Sequence, residues 1–193
     1  MTKEPKRGEE ILSVDKTKFE QMLSRGAAQE EAFAFYDGLE GASTEDMRGL
    51  WKGEEWVTGH PLEGLLTASG WYGKEFVSAE HVHPLIFEKK NGGLYKVNPL
   101  WIPMNLPFDK IPRSLIRPAM TLARPLISTR KSAARLRTIE YRGKLCAAMI
   151  YDKKDIIDVF RKVDDDTRLG IMDIKSLDTD KTYFFVLRRP SFS

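Results

Sequence analysis

The chain is poor in the residues that carry covalent and metal chemistry. It has one cysteine, Cys146, and three histidines in 193 residues. A lone cysteine excludes an internal disulfide and fits a reducing compartment. Because it sits in the apolar run LCAAMIY (145–151), its thiol reads as packing rather than as a nucleophile. That run is also the longest uninterrupted apolar stretch, far too short to span a bilayer. No Gly-x-Ser-x-Gly elbow occurs, and no glycine-rich phosphate loop. MTKEPKRGEE at the start lacks the apolar core of a signal peptide, so the expectation is a soluble, cytoplasmic protein. The formal net charge is only +3, which gives no global argument for nucleic acid.

What is present is a globular composition, 41% hydrophobic and 31% charged, with a marked concentration in one place. GLWKGEEWVTGHPLEGLLTASGWYGK (49–74) holds three of the four tryptophans and six of the fourteen glycines. Residues 1–14 are charged and expected to be frayed. From Asp15, a plausible N-cap, Phe19, Met22 and Leu23 and then Ala32, Phe33, Phe35, Tyr36 and Leu39 predict two amphipathic helices or one bent helix. Ser43 and Asp46 have capping-box spacing, with Gly49 stopping a short helix. Trp51 and Trp56 have opposite parity on a strand, so a bulge at Gly53 is needed to bring them to one side. Pro61 starts a helix with Leu62, Leu65 and Leu66 on its apolar stripe, ended by Gly70 or Gly73.

The rest reads mainly as strands. HPLIFEKK and LYKVN flank an Asn91-Gly92-Gly93 turn, and ARLRTIEY and KLCAAMIY flank Arg142-Gly143. DIIDVFRKV is ambiguous between strand and short helix, and TRLGIMD and TYFFVLRR complete the set. Residues 99–129 are interrupted by six prolines, and those at 118 and 125 predict short helices joined at the prolines. Roughly eight or nine strands, too few in either half to close alone, predict one closed antiparallel β-barrel over 15–193 with N-terminal and peripheral helices.

These segments resemble a known family. Gly49-Leu50-Trp51-Lys52-Gly53, the stretch Gly59 to Leu66 and the stretch Gly70 to Lys74 are similar to the bacterial GXWXG proteins. Leu136 to Gly143 and Val163 to Asp173 resemble the companion C-terminal domain of unknown function. The likeness spans about 30–100 and 130–190, with the proline-rich basic segment 99–131 between. A looser similarity is to the calycins, lipocalin and fatty-acid-binding barrels, where a Gly-x-Trp opens the first strand. That resemblance implies that an arginine of the last strand, Arg188 with Arg189 beside it, lies over Trp51 and closes the barrel's base.

Candidate chemistry follows from parity and composition. A barrel pocket for a hydrophobic small molecule, a fatty acid or phospholipid, is expected behind Leu136, Leu145, Ala147, Met149 and Tyr151. Trp71, Trp101, Met104 and Phe108 are candidates for its mouth, with 113–131 as a cap. Arg135 and Arg137, if inward, would meet a carboxylate or phosphate. From Arg113 to Arg137 there are seven basic residues and no acidic one, interleaved with leucine and isoleucine. That pattern suits an anionic membrane surface. Without aromatic residues it suits nucleic acid poorly, and a packed surface segment explains it as well. His81 and His83, with His60 as a third ligand, leave a zinc or haem site open as an alternative. A further alternative is a filled barrel acting as an interaction module through 113–137. The acidic pairs Glu54-Glu55 and Asp164 to Asp166 read as solvated turns or as side chains on opposite faces, not as acid/base pairs. No other cofactor is implied.

Overall fold

The computed structural model describes residues 7–102, 111–177 and 179–190, with side chains from residue 16 onward. In chain order the elements are α1 (Arg7–Arg25), α2 (Gln29–Gly38), β1 (Glu40–Gly41), β2 (Gly49–Trp56), α3 (Leu65–Ser69), β3 (Trp71–Phe76), β4 (Val82–Glu88) and β5 (Leu94–Lys96). After a 3-10 turn at Pro99–Trp101 come α4 (Arg113–Ile127), β6 (Ala134–Tyr141), β7 (Lys144–Tyr151), β8 (Ile156–Lys162), β9 (Thr167–Ile174) and β10 (Tyr183–Arg188).

Eight strands close into an antiparallel barrel in the order β2-β3-β4-β6-β7-β8-β9-β10, with β10 returning to β2. Two short strands lie outside the cycle: β1 pairs with β8, and β5 forms a hairpin on β4. The weakest seam is between β4 and β6, where Val82 and Ala134 form the one ladder pair. Hydrogen bonds from Ala133 N to Val82 O (3.1 Å) and Leu136 N to Ala79 O (2.7 Å) extend it. By contrast β6 and β7 pair along their full length, from Ala134 opposite Tyr151 to Tyr141 opposite Lys144. Their two-residue turn at Arg142 (φ 50°) and Gly143 (φ 73°) has the positive dihedrals such a hairpin requires.

Alternation along each strand divides the apolar residues between two cores. On β10, Tyr183, Phe185 and Leu187 point into the barrel, while Phe184 and Val186 point outward beneath α1 and α2. Phe19, Met22, Ala32 and Tyr36 of those helices cover them. Trp51 and Trp56 divide in the same way, Trp51 inside and Trp56 outside, where its Nε1–H donates to the Met22 carbonyl at 3.2 Å. The bulge expected at Gly53 is therefore absent, since β2 runs in regular register with β10 from Lys52 to Trp56. The irregularity falls on the next strand, where β3 shifts register against β4 on both sides of Gly73.

Three helix boundaries also differ from the sequence reading. α1 is already helical at Arg7, within the stretch expected to fray. α3 starts at Leu65 instead of Pro61, because Gly64 takes a left-handed conformation (φ 77°) that separates it from the preceding turn. Between Ser43 and Gly49 there is a turn and no helix, although Ser43 and Asp46 do make the reciprocal capping bonds. α4 is one continuous helix containing Pro118 and Pro125. Both prolines are on its solvent side, and Met120, Ala123 and Ile127 pack on the barrel core from the other face, while Ile116 is also buried. That packing holds the helix through the missing N–H donors. No helix among the described residues is long and apolar enough to cross a membrane.

Candidate functional site

The two ends of the barrel are built differently. One is plugged by Trp51, fully buried, whose Nε1–H donates to the Met47 carbonyl at 2.7 Å. Arg189 lies 3.9 Å and Arg168 5.0 Å from its ring centroid. Both guanidinium groups donate to the Asp46 carbonyl, at 3.2 and 3.3 Å. Arg188, expected over Trp51, points the other way, because it alternates with inward-facing Leu187. Outside the barrel it bonds Glu20 of α1 at 2.9 Å and approaches Glu54 to 3.6 Å.

The interior next to this plug is filled. Phe76, Phe160 and Phe185 form edge-to-face pairs at 5.6 and 6.1 Å, and Leu136, Ala147 and Met149 pack in the same buried cluster. The other end is open to a pocket covered by Leu62, Leu65 and Leu66 and by Pro99 and Ile102. Trp71, Leu85, Tyr151, Ile156, Met172, Tyr183 and Phe185 form its walls. Its free volume is about 80 Å³, below the roughly 150 Å³ of an apolar cavity that takes up benzene. This leaves room for a short alkyl end or for part of a ring, with the remainder of the ligand standing at the open mouth.

The pocket's polar residues are Lys74, Asp158 and Lys154. The Lys74 ammonium stands 2.7 Å from an Asp158 carboxylate oxygen, and their side chains are only 4% and 1% exposed. Lys74 also donates to the Pro84 carbonyl at 3.3 Å and lies 4.9 Å over the Phe185 ring and 5.6 Å from that of Trp71. Burial pushes the Asp158 carboxyl above the ordinary aspartate range, and the Lys74 charge pulls it partly back. Burial likewise raises the Tyr151 phenol well above its usual value, with the Asp158 charge adding to the effect. Tyr183 is raised by burial first and then by Glu55, to which its hydroxyl donates at 2.5 Å. Lys154, at the mouth, donates to the Ile102 carbonyl at 3.0 Å.

Glycine explains how this wall is assembled. A Cβ on Gly53 would lie 2.1 Å from the Trp71 ring, so only glycine lets that indole lie across β2. At Gly73 (φ 151°) a Cβ would lie 2.0 Å from the Trp51 carbonyl oxygen, so β3 can kink only there. The kink reverses side-chain parity, so that Trp71 and Lys74, three residues apart, both face the interior. Opposite them β8 alternates Ile156, Asp158 and Phe160 inward. Reading parity without the kink hides Lys74. Asp158 left a trace in the sequence, an acid at an inward position of the apolar run IIDVF, but only once that run is taken as a strand.

Of the residues proposed from the sequence, Trp71 and Tyr151 line the pocket. Leu136, Ala147 and Met149 face inward but belong to the filled core, and Leu145 is exposed at the strand's start. Trp101 is 62% exposed and is not among the residues that line this pocket. Met104 and Phe108 lie outside the described residues. Arg135 and Arg137 flank the inward Leu136 and so point out, where Arg135 pairs with Asp152 and Arg137 with Glu80 at 2.6 and 2.8 Å. They offer a ligand no anchor inside the barrel.

The histidines do not converge. His60 accepts from the Leu62 N–H at 3.1 Å and meets Tyr183 edge-on. His81 bonds Ser78 in a turn, and His83 lies 4.0 Å from Glu75. Burial lowers the affinity of His60 and His83 for a proton. Among the described residues no group of three His, Cys, Asp or Glu side chains is placed to hold a metal ion.

Residues 34–92 match the family model described as GXWXG protein, and residues 132–189 match the domain of unknown function DUF4334. The closed barrel fits a calycin-like fold. A crystal structure described as a protein from Thermomonospora curvata is similar over 92% of this chain and 99% of that one, at 28% identity and a TM-score of 0.68. No curated protein matches the chain. The first family segment supplies β2 to β4 and the second β6 to β10, so the Lys74–Asp158 pair joins them across the interior.

Proposed function

We propose that this chain, which carries the GXWXG and DUF4334 segments on the two halves of one barrel, is a binding protein for a small hydrophobic molecule held at the open mouth. The observation that carries the reading is the apolar pocket under α3, walled by Trp71, Tyr151, Tyr183 and Phe185, at the one end the core leaves unfilled. A barrel of eight strands is just wide enough to be filled or to keep one small ligand. Here the filled half and the open half share one interior. The pocket volume favours the end of a chain or one edge of a single ring over a whole acyl chain, so a fatty acid or phospholipid would place only its tip inside. Native mass spectrometry of the purified protein, followed by denaturation and extraction, tests this. An apolar adduct released on denaturation is the expected result. A clean apo mass together with no uptake of any aromatic or alkyl probe overturns the reading.

The surface beside the mouth supports an anionic membrane as the place where such a ligand is collected or delivered. On α4, Leu115, Leu122 and Leu126 are 58%, 84% and 82% exposed, and their spacing puts them on one stripe. The 3-10 turn bearing exposed Leu100 and Trp101 adjoins the end of α4, because Asn98 N donates to the Ile127 carbonyl. Arg117, Arg124, Arg130 and Lys131 add positive charge, and no acidic residue occurs between 111 and 139. Each such cation contributes about 1 kcal/mol near an anionic leaflet. Cosedimentation with phosphatidylserine-containing vesicles is expected to exceed that with neutral ones and to fall with salt and with the L122S/L126S pair. Equal binding to both vesicle types removes this role.

A further inference from the structure

The pocket wall carries buried polar atoms that nothing among the described residues satisfies. The Asp158 carboxylate touches Lys74 through one oxygen but accepts no well-aligned hydrogen bond at either. The Trp71 indole Nε1–H is buried and has no acceptor among the described residues. Buried polar groups are almost always paired, and leaving one unpaired is destabilising. Both orphans face one pocket and flank one ammonium, that of Lys74. They are complementary, an acceptor and a donor on the wall of one pocket, with the Lys74 ammonium 2.7 Å from the carboxylate and 5.6 Å from the centroid of the indole ring.

Charge narrows the choice. Lys74 and Asp158 balance each other, so the inner wall has no spare cation for an acid. Glu55, behind Tyr183, adds a further negative group on that side. Lys154 is positive but sits at the mouth, on the Ile102 carbonyl. A carboxylate pushed inward would meet the Asp158 charge at close range and be repelled by it.

Resting on the reading of this pocket as a hydrophobic-ligand site, we propose that it selects a neutral, compact hydrophobe bearing one hydroxyl. The hydroxyl donates to the free Asp158 oxygen and accepts from Trp71 Nε1–H, while the ring or alkyl body fills the space between Leu62, Tyr183 and Phe185. Fatty acids and other anions are rejected from the inner wall.

Calorimetric titration of the full-length protein with four matched probes tests the proposal. Para-cresol offers donor and acceptor, para-methylanisole an acceptor alone, para-xylene neither, and para-toluate an anion. Cresol is expected to bind roughly ten- to a hundredfold more tightly than xylene, as a hydrogen bond to a charged group would give. Methylanisole should fall near xylene and toluate below both. Equal binding of cresol and xylene overturns hydroxyl selection, the orphaned atoms then being met by water, yet leaves the hydrophobic pocket standing. Tightest binding by toluate replaces it with an anion site. Binding by none of the four overturns selection and pocket together. The double variant K74M/D158L, which removes both charges and keeps the volume apolar, should bind xylene and lose the cresol preference. A preference that survives there excludes Asp158 as the acceptor.

Discussion

Replacing Lys74 by methionine should destabilise the fold more at neutral pH than in mild acid. The ammonium is 4% exposed and 2.7 Å from a carboxylate that is itself 1% exposed. The variant therefore leaves Asp158 without its partner in an apolar wall of Phe185, Tyr151 and Trp71, and removing one partner of a buried pair costs about 3–5 kcal/mol. For a chain of this length each kcal/mol moves Tm by about 2–4 °C, so a fall of roughly 6–20 °C is expected. The pH dependence follows from Asp158. Its folded pKa is already raised by burial, and Lys74 is what lowers it. In Lys74→Met the folded state keeps a proton that the unfolded chain releases above about pH 4. Stability is then fullest below the unfolded value and is lost as pH rises through the folded one, by up to about 1.4 kcal/mol per pH unit. Urea melts of both proteins at about pH 5 and about pH 8 should show a smaller gap at the lower pH. The K74M/D158L double variant should recover most of the loss, since apolar replacement of a buried pair is often neutral or stabilising. A penalty below about 1 kcal/mol, or one equal at the two pH values, would mean that the pair is solvated and the reasoning fails.

Other substitutions separate the remaining parts of the argument. Gly53→Ala puts a Cβ 2.1 Å from the Trp71 ring and should cost about 1–3 kcal/mol by overpacking, with Trp71 pushed into the pocket and xylene binding lost in calorimetry. Gly38→Ala, where a Cβ meets nothing within 4 Å, should be neutral or slightly stabilising in the same melts. Arg189→Ala removes the cation 3.9 Å from Trp51 and should cost about 0.5–2 kcal/mol. Arg188→Ala, which breaks partly exposed contacts to Glu20 and Glu54, should cost about 0–1 kcal/mol. The reverse order in thermal melts would return the plug to Arg188.

Much of the scaffold is written locally. The Arg142-Gly143 and Asn91-Gly92-Gly93 turns, the alternation on TYFFVLRR and the apolar periodicity around Phe19 and Tyr36 each specify their element from neighbouring residues. The stripe Leu62, Leu65 and Leu66 and the inward parity of Tyr151 put part of the pocket within reach of the sequence too. α4 is less legible, because Pro118 and Pro125 argue against one helix until the burial of Ile116, Met120 and Ile127 outweighs them. Arg135 and Arg137 fail as anchors for a local reason, since they cannot share a face with Leu136. Lys74 fails for a non-local one. Its direction depends on a kink at Gly73, where only glycine fits because the Trp51 carbonyl of the adjacent strand lies where a Cβ would be. Its partner Asp158 comes from the other half of the chain. Sequence alone determines which residues alternate and where the chain turns, because those depend on near neighbours. Which polar atoms end buried, opposed and unsatisfied is decided only when strands far apart in sequence close the barrel.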